Sequence, residues 1–472
     1  MAGGALAAAS CGKEKEARPL PNVVFILADD LGWGDLSCYG QERFQTPNID
    51  ALAANGLRFT QCYSGTTVSA PSRSCLVTGT HSGHTAVRGN RELKPEGQFP
   101  LPDGSETIFK DLKAAGYVTG AFGKWGLGGV GSTGDPANQG VDKFFGFNCQ
   151  LLAHSYYPDH LWDNDFRVEL EDNRDDIPYG QGTYAPDLIH QKALEFLDER
   201  ADDGKPFFLW YPTTIPHAEL IVPEDSIILK YRGLYPEKPY KGIDDGPYFR
   251  KGGYVSQEYP HATFAAMVTR LDVYVGQIVA RLKELGLYDN TVIMFASDNG
   301  PHLEGGHDPD FFDSNGPWRG YKRDVYEGGI RVPMIVSWPG HIQEGKETDF
   351  TCSFWDMMPT LRDLTGTASP DDMDGVSLLP LLQGKKGQKE HDFLYFEFQE
   401  LNGRQAVRQG PWKLVHMNIR GDNPVYELYN LDKDPGETTD LAASMPEKVA
   451  ELQAIMRDSH IPSPDFPLLP GE

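Results

Sequence analysis

Residues 22–30 read Asn22-Val23-Val24-Phe25-Ile26-Leu27-Ala28-Asp29-Asp30, an almost unbroken apolar run that ends on two adjacent carboxylates. A strand with one wet face alternates polar and apolar side chains, whereas a strand covered on both faces does not. This stretch therefore reads as a strand inside a covered, mostly parallel sheet, with Asp29 and Asp30 just past its carboxyl end. Working outward, residues 118–122, 207–211 (Phe-Phe-Leu-Trp-Tyr), 291–296 (Thr-Val-Ile-Met-Phe-Ala) and 332–338 are further apolar strands. Helical stretches lie between them. One opens at Thr46-Pro47-Asn48 and stops at Asn55-Gly56, with proline at its start and glycine past its end. Others span 107–115, before Gly116, and 263–285, before Gly286. Strands alternating with helices predict βαβ units and an α/β fold.

The pattern changes near residue 388. Residues 393–398, 405–408, 412–416 and 425–431 are short strands separated by turns, and a helix over 446–457 follows. That is a small antiparallel α+β unit. The organisation expected is a tether over 1–20, a catalytic domain over 21–388 and a C-terminal subdomain over 389–472. The chain has 472 residues, with 43 basic against 68 acidic side chains and a net charge of −25. Such a balance excludes a nucleic-acid partner held by a basic surface and argues against docking on anionic lipid. The 51 glycines and 35 prolines follow no repeat, which suits ordered loops on a regular scaffold. Small residues run up to Cys11, followed by Lys13-Glu14-Lys15-Glu16. The segment resembles the end of a bacterial lipoprotein signal, so export to the periplasm or cell surface with a lipid anchor at Cys11 is the expectation. Cys38, Cys62, Cys75, Cys149 and Cys352 match neither a disulfide framework nor a zinc pattern.

Asp298-Asn299 follows its strand just as Asp29-Asp30 follows the first. Ligands of parallel α/β sheets bind beyond the carboxyl ends of strands. Four oxygen donors meeting there suit a hard cation. Calcium accepts irregular geometry and magnesium demands an octahedron. No matching His/Cys set points to zinc or copper. Two unrelated Asp-rich turns would show the same letters. Residues 67–79 read Thr-Val-Ser-Ala-Pro-Ser-Arg-Ser-Cys-Leu-Val-Thr-Gly. Pro71 suits a first helical turn and Gly79 a stop, so Ser69 falls just before a helix N-terminus, which favours an anion. Arg73 lies one turn along on a similar face. Alone, this could be a helix cap with a surface arginine.

Ser69-x-Pro71-Ser72-Arg73 with Leu76, Thr78 and Gly79 resembles the signature of the formylglycine-dependent sulfatases. So do Asp29-Asp30-Leu31-Gly32-Trp33-Gly34-Asp35, Gly123-Lys124-Trp125, Pro216-His217, Ser297-Asp298-Asn299-Gly300 and Lys322 ahead of Tyr326-Glu327-Gly328-Gly329. Trp412-Lys413-Leu414 and Leu428-Tyr429-Asn430-Leu431 extend the likeness over residues 21–460. The order of so many motifs makes it specific. The resemblance implies an alkaline-phosphatase-like α/β fold, a large mixed sheet covered by helices with a small C-terminal antiparallel subdomain. It implies hydrolysis of sulfate monoesters by a formylglycine made from Ser69. A serine at that position implies an anaerobic sulfatase-maturating enzyme as partner. Asp29, Asp30, Asp298 and Asn299, with residue 69, map onto ligands of a calcium ion acting as Lewis acid and template. Arg73 maps onto the group holding the formylglycine hydroxyl, and Lys124 and Lys322 onto those neutralising sulfate oxygens. His217 maps onto the leaving-group acid.

One position departs from the family. Many members carry histidine where Gly123-Lys124-Trp125-Gly126-Leu127-Gly128 has Gly126, and that histidine contacts the formylglycine. His154, in Ala153-His154-Ser155-Tyr156-Tyr157, is the candidate to supply an imidazole or to touch substrate. Arg88-Gly89-Asn90 and His154-Ser155-Tyr156-Tyr157 look most like bacterial sulfatases of N-acetylgalactosamine and galactose sulfates. The acidic surface favours short oligosaccharides or terminal sugars over long polyanions. The competing readings are a phosphomonoester or phosphonate hydrolase of the same fold, and a calcium-stabilised glycan-binding lipoprotein that has lost catalysis.

Overall fold

The computed structural model describes residues 19–94, 96–174, 179–244, 253–370 and 373–472; Cys11 and most of the tether lie outside them. The strands are β1 (Asn22–Ala28), β2 (Gly56–Tyr63), β3 (Val118–Lys124), β4 (Lys143–Phe147), β5 (His160–Asp163), β6 (Phe166–Glu169), β7 (Phe207–Pro212), β8 (Thr291–Ser297), β9 (Arg331–Ser337), β10 (Lys346–Thr348) and β11 (Cys352–Ser353). They form one sheet in the order β10-β2-β9-β8-β1-β7-β3-β4-β5-β6, with β11 also paired to β2. The helices that position the site are α1 (Pro47–Ala54), α2 (Ser69–Thr78), α3 (Ile108–Ala114) and α4 (Gln150–Ala153).

β1 lies at the centre, parallel to β7 on one side and β8 on the other. Its side chains divide as the pleat requires. Val24, Ile26 and Ala28 enter one core with α1, and Val23, Phe25 and Leu27 enter the other with α2 and α3. The long helix over 260–284 and that over 185–200 cover the α1 side. Every residue of β1 is buried, which is why the run lacks polar alternation.

The sheet is mixed, less parallel than the strand pattern alone predicts. β9 runs antiparallel to both β8 and β2, and β4-β5-β6 are antiparallel. The chain leaves β8 at the sheet's carboxyl edge and stays there through residues 298–330. It re-enters the sheet from that edge without a crossover, so β9 runs backwards. β2 is absent from the sequence reading because Arg58, Thr60 and Gln61 interrupt it, and its ladder to β9 slips between Phe59 and Cys62.

A second, antiparallel sheet follows: β12 (Leu394–Phe398), β13 (Arg404–Gln409), β14 (Trp412–Met417) and β15 (Val425–Asn430), in that order. The helix over 446–458 covers one face through Leu452 and Met456. The other packs Phe396, Ala406 and Val415 on Tyr63 and Trp355 of the first unit. Lys413, fully buried, joins the two through Glu327 and Glu437, each at 2.9 Å. The five described cysteines are free.

Candidate active site

The register of β1 against β8 pairs Ala28 with Ser297, so Asp29-Asp30 and Asp298-Asn299 leave the sheet side by side. β3 and β7 are parallel to β1 and end at the same edge, delivering Lys124 and, a turn later, His217. Ser69 is the first residue of α2 rather than the residue before it; Val68 occupies the cap. Asp29, Asp30, Ser69, Arg73, Lys124, His217, Asp298, Asn299 and Lys322 are all buried together, and His154 lies at their margin.

Ser69 Oγ donates to Asp29 Oδ1 at 2.9 Å and lies 3.4 Å from Lys124 Nζ. Lys124 Nζ also donates to Asp29 Oδ2 at 2.6 Å. Arg73 Nε and Nη2 grip Asp298 Oδ2 at 3.0 and 2.9 Å, and Nη1 donates to the Lys124 carbonyl. Asp30 holds a left-handed φ of 61°. That turn lets its N–H reach Asp298 Oδ1 at 3.1 Å, while its carboxylate accepts from Asn299 Nδ2 at 2.7 Å and Lys322 Nζ at 2.8 Å. A strained non-glycine residue held this way is characteristic of functional turns.

Burial opposes ionisation of Asp29, yet Lys124, His217, Arg73 and Lys322 together hold its carboxyl well below the usual carboxylate range. Burial and then the Asp29 charge push Asp298 up to about 7, against Arg73. Asn299 Oδ1, also buried, has no hydrogen-bond partner. Packed carboxylates beside an orphaned amide oxygen are the donor set of a hard cation with oxygen ligands. Asp29, Asp30, Asp298 and Asn299 fit calcium on that ground, with Ser69 Oγ adjacent.

His217 is buried against this cluster. Its Nδ1 donates to the Ala218 carbonyl, leaving Nε2 to accept from Lys322 Nζ at 3.0 Å, with Asp30 Oδ2 at 3.4 Å. Burial, then Lys322, lowers the His217 pKa well below that of a free imidazole. Despite burial, Asp30 and Glu304 hold the Lys322 ammonium above its usual value. His154 stacks on His217 with centroids 4.9 Å apart and planes 10° apart, and burial followed by His217 lowers its pKa as well. In the sequence, His302 and Glu304 belong to a loop over 301–323 whose polar and aromatic density suits sugar hydroxyls and a solvated loop equally. His302 also stacks on His217, with centroids 5.8 Å apart, and Glu304 reaches Lys322 at 3.8 Å and Arg323. Their only signal was a polar loop after Asp298-Asn299.

A second group, His81, His84 and Asp374, brings three possible metal ligands together elsewhere. There the Gly83 N–H donates to His81 Nδ1 at 3.1 Å, so the neutral ring carries its proton on Nε2, facing Asp374 at 3.7 Å. This is a hydrogen-bonded cluster rather than a ligand set.

The family described as Sulfatase matches residues 21–367, and the family described as N-sulphoglucosamine sulphohydrolase, C-terminal, matches residues 316–460. Arylsulfatase A of Homo sapiens is 32% identical, covering 93% of this chain and 87% of the relative. The N-acetylgalactosamine-6-O-sulfatase of Bacteroides thetaiotaomicron is 29% identical with 92% of each covered. The crystal structure of Ps i-CgsB in complex with k-i-k-neocarrahexaose superposes with a TM-score of 0.76 at 26% identity, covering 93% of both chains. The likeness runs without a break from the central strand through the loop that carries Lys322, and the chain therefore belongs to the sulfatase family and is a sulfuric ester hydrolase.

Proposed function

We propose that the protein removes sulfate from O-sulfated N-acetylgalactosamine or galactose units of short glycans, as a periplasmic or surface lipoprotein. The observation that carries the chemistry is Ser69 Oγ at a helix start, 2.9 Å from Asp29 and 3.4 Å from Lys124, among buried cations. The similarity to an N-acetylgalactosamine-6-O-sulfatase supports the sugar, and the small-residue run up to Cys11 supports the anchor.

In this reading an anaerobic sulfatase-maturating enzyme converts Ser69 to formylglycine, and Asp29, Asp30, Asp298 and Asn299 hold calcium. Together these groups supply a hydrated aldehyde nucleophile and a Lewis acid. The chain's own side chains do the rest. Arg73 fixes Asp298 and braces the Lys124 carbonyl, so α2 and the strand ends keep one geometry. Lys124 and Lys322 bring positive charge to the sulfate oxygens in a water-poor site, where it acts strongly. His217 Nε2 accepts from Lys322 rather than carrying a proton of its own. In this reading His217 remains the leaving-group acid expected from sequence, and Lys322 at its Nε2 supplies the proton that passes to the leaving sugar oxygen. His154, stacked on His217, faces the sugar.

The test is a panel of defined monosulfated sugars, with Ser69 oxidation established by peptide mass. Release of sulfate from galactose or N-acetylgalactosamine esters supports the reading. No release from any sugar by fully oxidised, calcium-loaded protein rejects it.

A further inference from the structure

Gln150 opens α4 just beyond the end of β4, and the residue is only 2% exposed. Its Nε2 nevertheless has no hydrogen-bond partner. Leaving a buried amide donor unpaired is costly, so a retained orphan points to an absent acceptor. Gly126 lies opposite, at a φ of +74°, and a Cβ built there would stand 2.6 Å from that same nitrogen. The amide therefore fills the space that any side chain at 126 would enter. This placement is fixed by backbone. β3 and β4 pair Lys124 with Phe147, the Gly126 N–H donates to the Asn148 carbonyl at 3.3 Å, and the Gln150 N–H donates to Gln98 Oε1 at 3.1 Å. Two residues before Gly126, Lys124 Nζ meets Ser69 and Asp29.

We propose that Gln150 is a sulfate-binding residue: its Nε2–H donates to a sulfate oxygen beside residue 69, from α4, where position 126 offers no side chain. This rests on the sulfate-ester reading above. An amide donates without titrating, so Gln150 orients the anion and takes no proton in either direction. The glycine and the glutamine are one device: the first leaves the space and the second fills it with a neutral donor.

The test uses the calcium-loaded full chain with Ser69 unmodified, titrated calorimetrically with inorganic sulfate, and the matured enzyme assayed on an aryl sulfate. Gln150→Leu keeps the volume and removes the donor. It should weaken sulfate binding and lower kcat/KM by roughly 10- to 100-fold, the range for a hydrogen bond to a charged group, with no loss of thermal stability. Gln150→Glu, which puts a carboxylate before the anion, should lose more. Gly126→Ala should harm the wild type more than it harms Gln150→Ala, because only in the first does the new methyl meet the amide. Sulfate affinity and kcat/KM within twofold of wild type in both Gln150→Leu and Gln150→Glu would overturn the proposal, as would equal effects of Gly126→Ala in the two backgrounds. If Gln150→Leu does not fold, Gln150→Glu and the Gly126 pair decide. A wild type that neither binds sulfate nor cleaves any sulfate ester would reject the sulfatase reading of this site instead.

Discussion

Single residues in this site answer to more than one partner. His217 faces a backbone carbonyl on one nitrogen and Lys322 on the other. If the Lys322–His217 pair protonates the departing oxygen, His217→Ala should slow sulfated sugars by about 10²- to 10⁴-fold, the usual range for general acid catalysis. An activated aryl sulfate, whose phenolate leaves unaided, should suffer much less. Equal losses on the two substrates would reduce His217 to a positioning group. Asp35 offers a separate test by pH. It is fully buried, accepts from Gly32 N–H at 2.8 Å and Ser314 Oγ at 2.6 Å, and burial pushes its pKa up to about 7. Its folded value thus exceeds its unfolded one. Between about pH 4 and pH 7 the folded state binds the extra proton, so raising pH through this window removes stability. Asp35→Asn keeps an acceptor for Gly32 and offers a donor to Ser314. Its stability relative to wild type should rise with pH across that window, by up to about 4 kcal/mol for a shift of about three units. Denaturant melts at pH 4.5 and 7.5 check this, and a pH-independent difference would show that the buried carboxyl does not titrate there.

At the scale of elements, α2 is fastened to two strand ends by one side chain. Arg73 holds Asp298 beyond β8 and the Lys124 carbonyl at the end of β3. Removing one partner of a buried pair leaves the other uncompensated, at a cost of about 3–5 kcal/mol. Arg73→Met should show that loss in chelator, and a smaller one in calcium, because the ion takes over neutralisation of Asp298. Urea midpoints with and without calcium read the difference; the same loss in both would place Asp298 outside the cation's shell. Much of this was legible in sequence. The apolar runs of β1, β7 and β8 name central strands, and the carboxylates that follow them must sit at one edge if the strands are parallel. β2, β4, β5 and β6 were not legible. Their residues are partly exposed or interrupted by glycine, as at Gly146 in β4, so neither continuous burial nor strict alternation marks them. The pairing of Gly126 with Gln150 was hidden for another reason: it is a contact between two adjacent strand ends 24 residues apart, with no shared periodicity.

Across the whole molecule, the two sheets act as one body through charge as well as apolar packing. Lys413 is buried between Glu327 and Glu437, and Glu327 also binds Tyr63 at 2.5 Å. Glu327 starts the turn into β9, directly after the loop that delivers Lys322. The C-terminal sheet therefore braces the return of that loop, which is why a lysine in the Trp412-Lys413-Leu414 strand sits so far in sequence from the site it supports. Charge is divided on a larger scale too. The chain carries a net charge of −25, while Arg73, Lys124 and Lys322 are concentrated at the site. A substrate with one sulfate feels mainly the local cations once it enters. A chain of many sulfates also feels the acidic exterior along its length. Screening acts over about 30 Å at 0.01 M salt and about 8 Å at 0.15 M, so added salt suppresses the distant repulsion before the contact attraction. The expected outcome is that kcat/KM for a polysulfated oligosaccharide rises relative to that for its monosulfated sugar as salt increases from 0.01 to about 0.15 M. Initial rates on matched substrates at several salt concentrations measure that ratio. A ratio that falls with salt would mean that the site's mouth attracts polyanions, and would favour action within long sulfated chains over action on short ones.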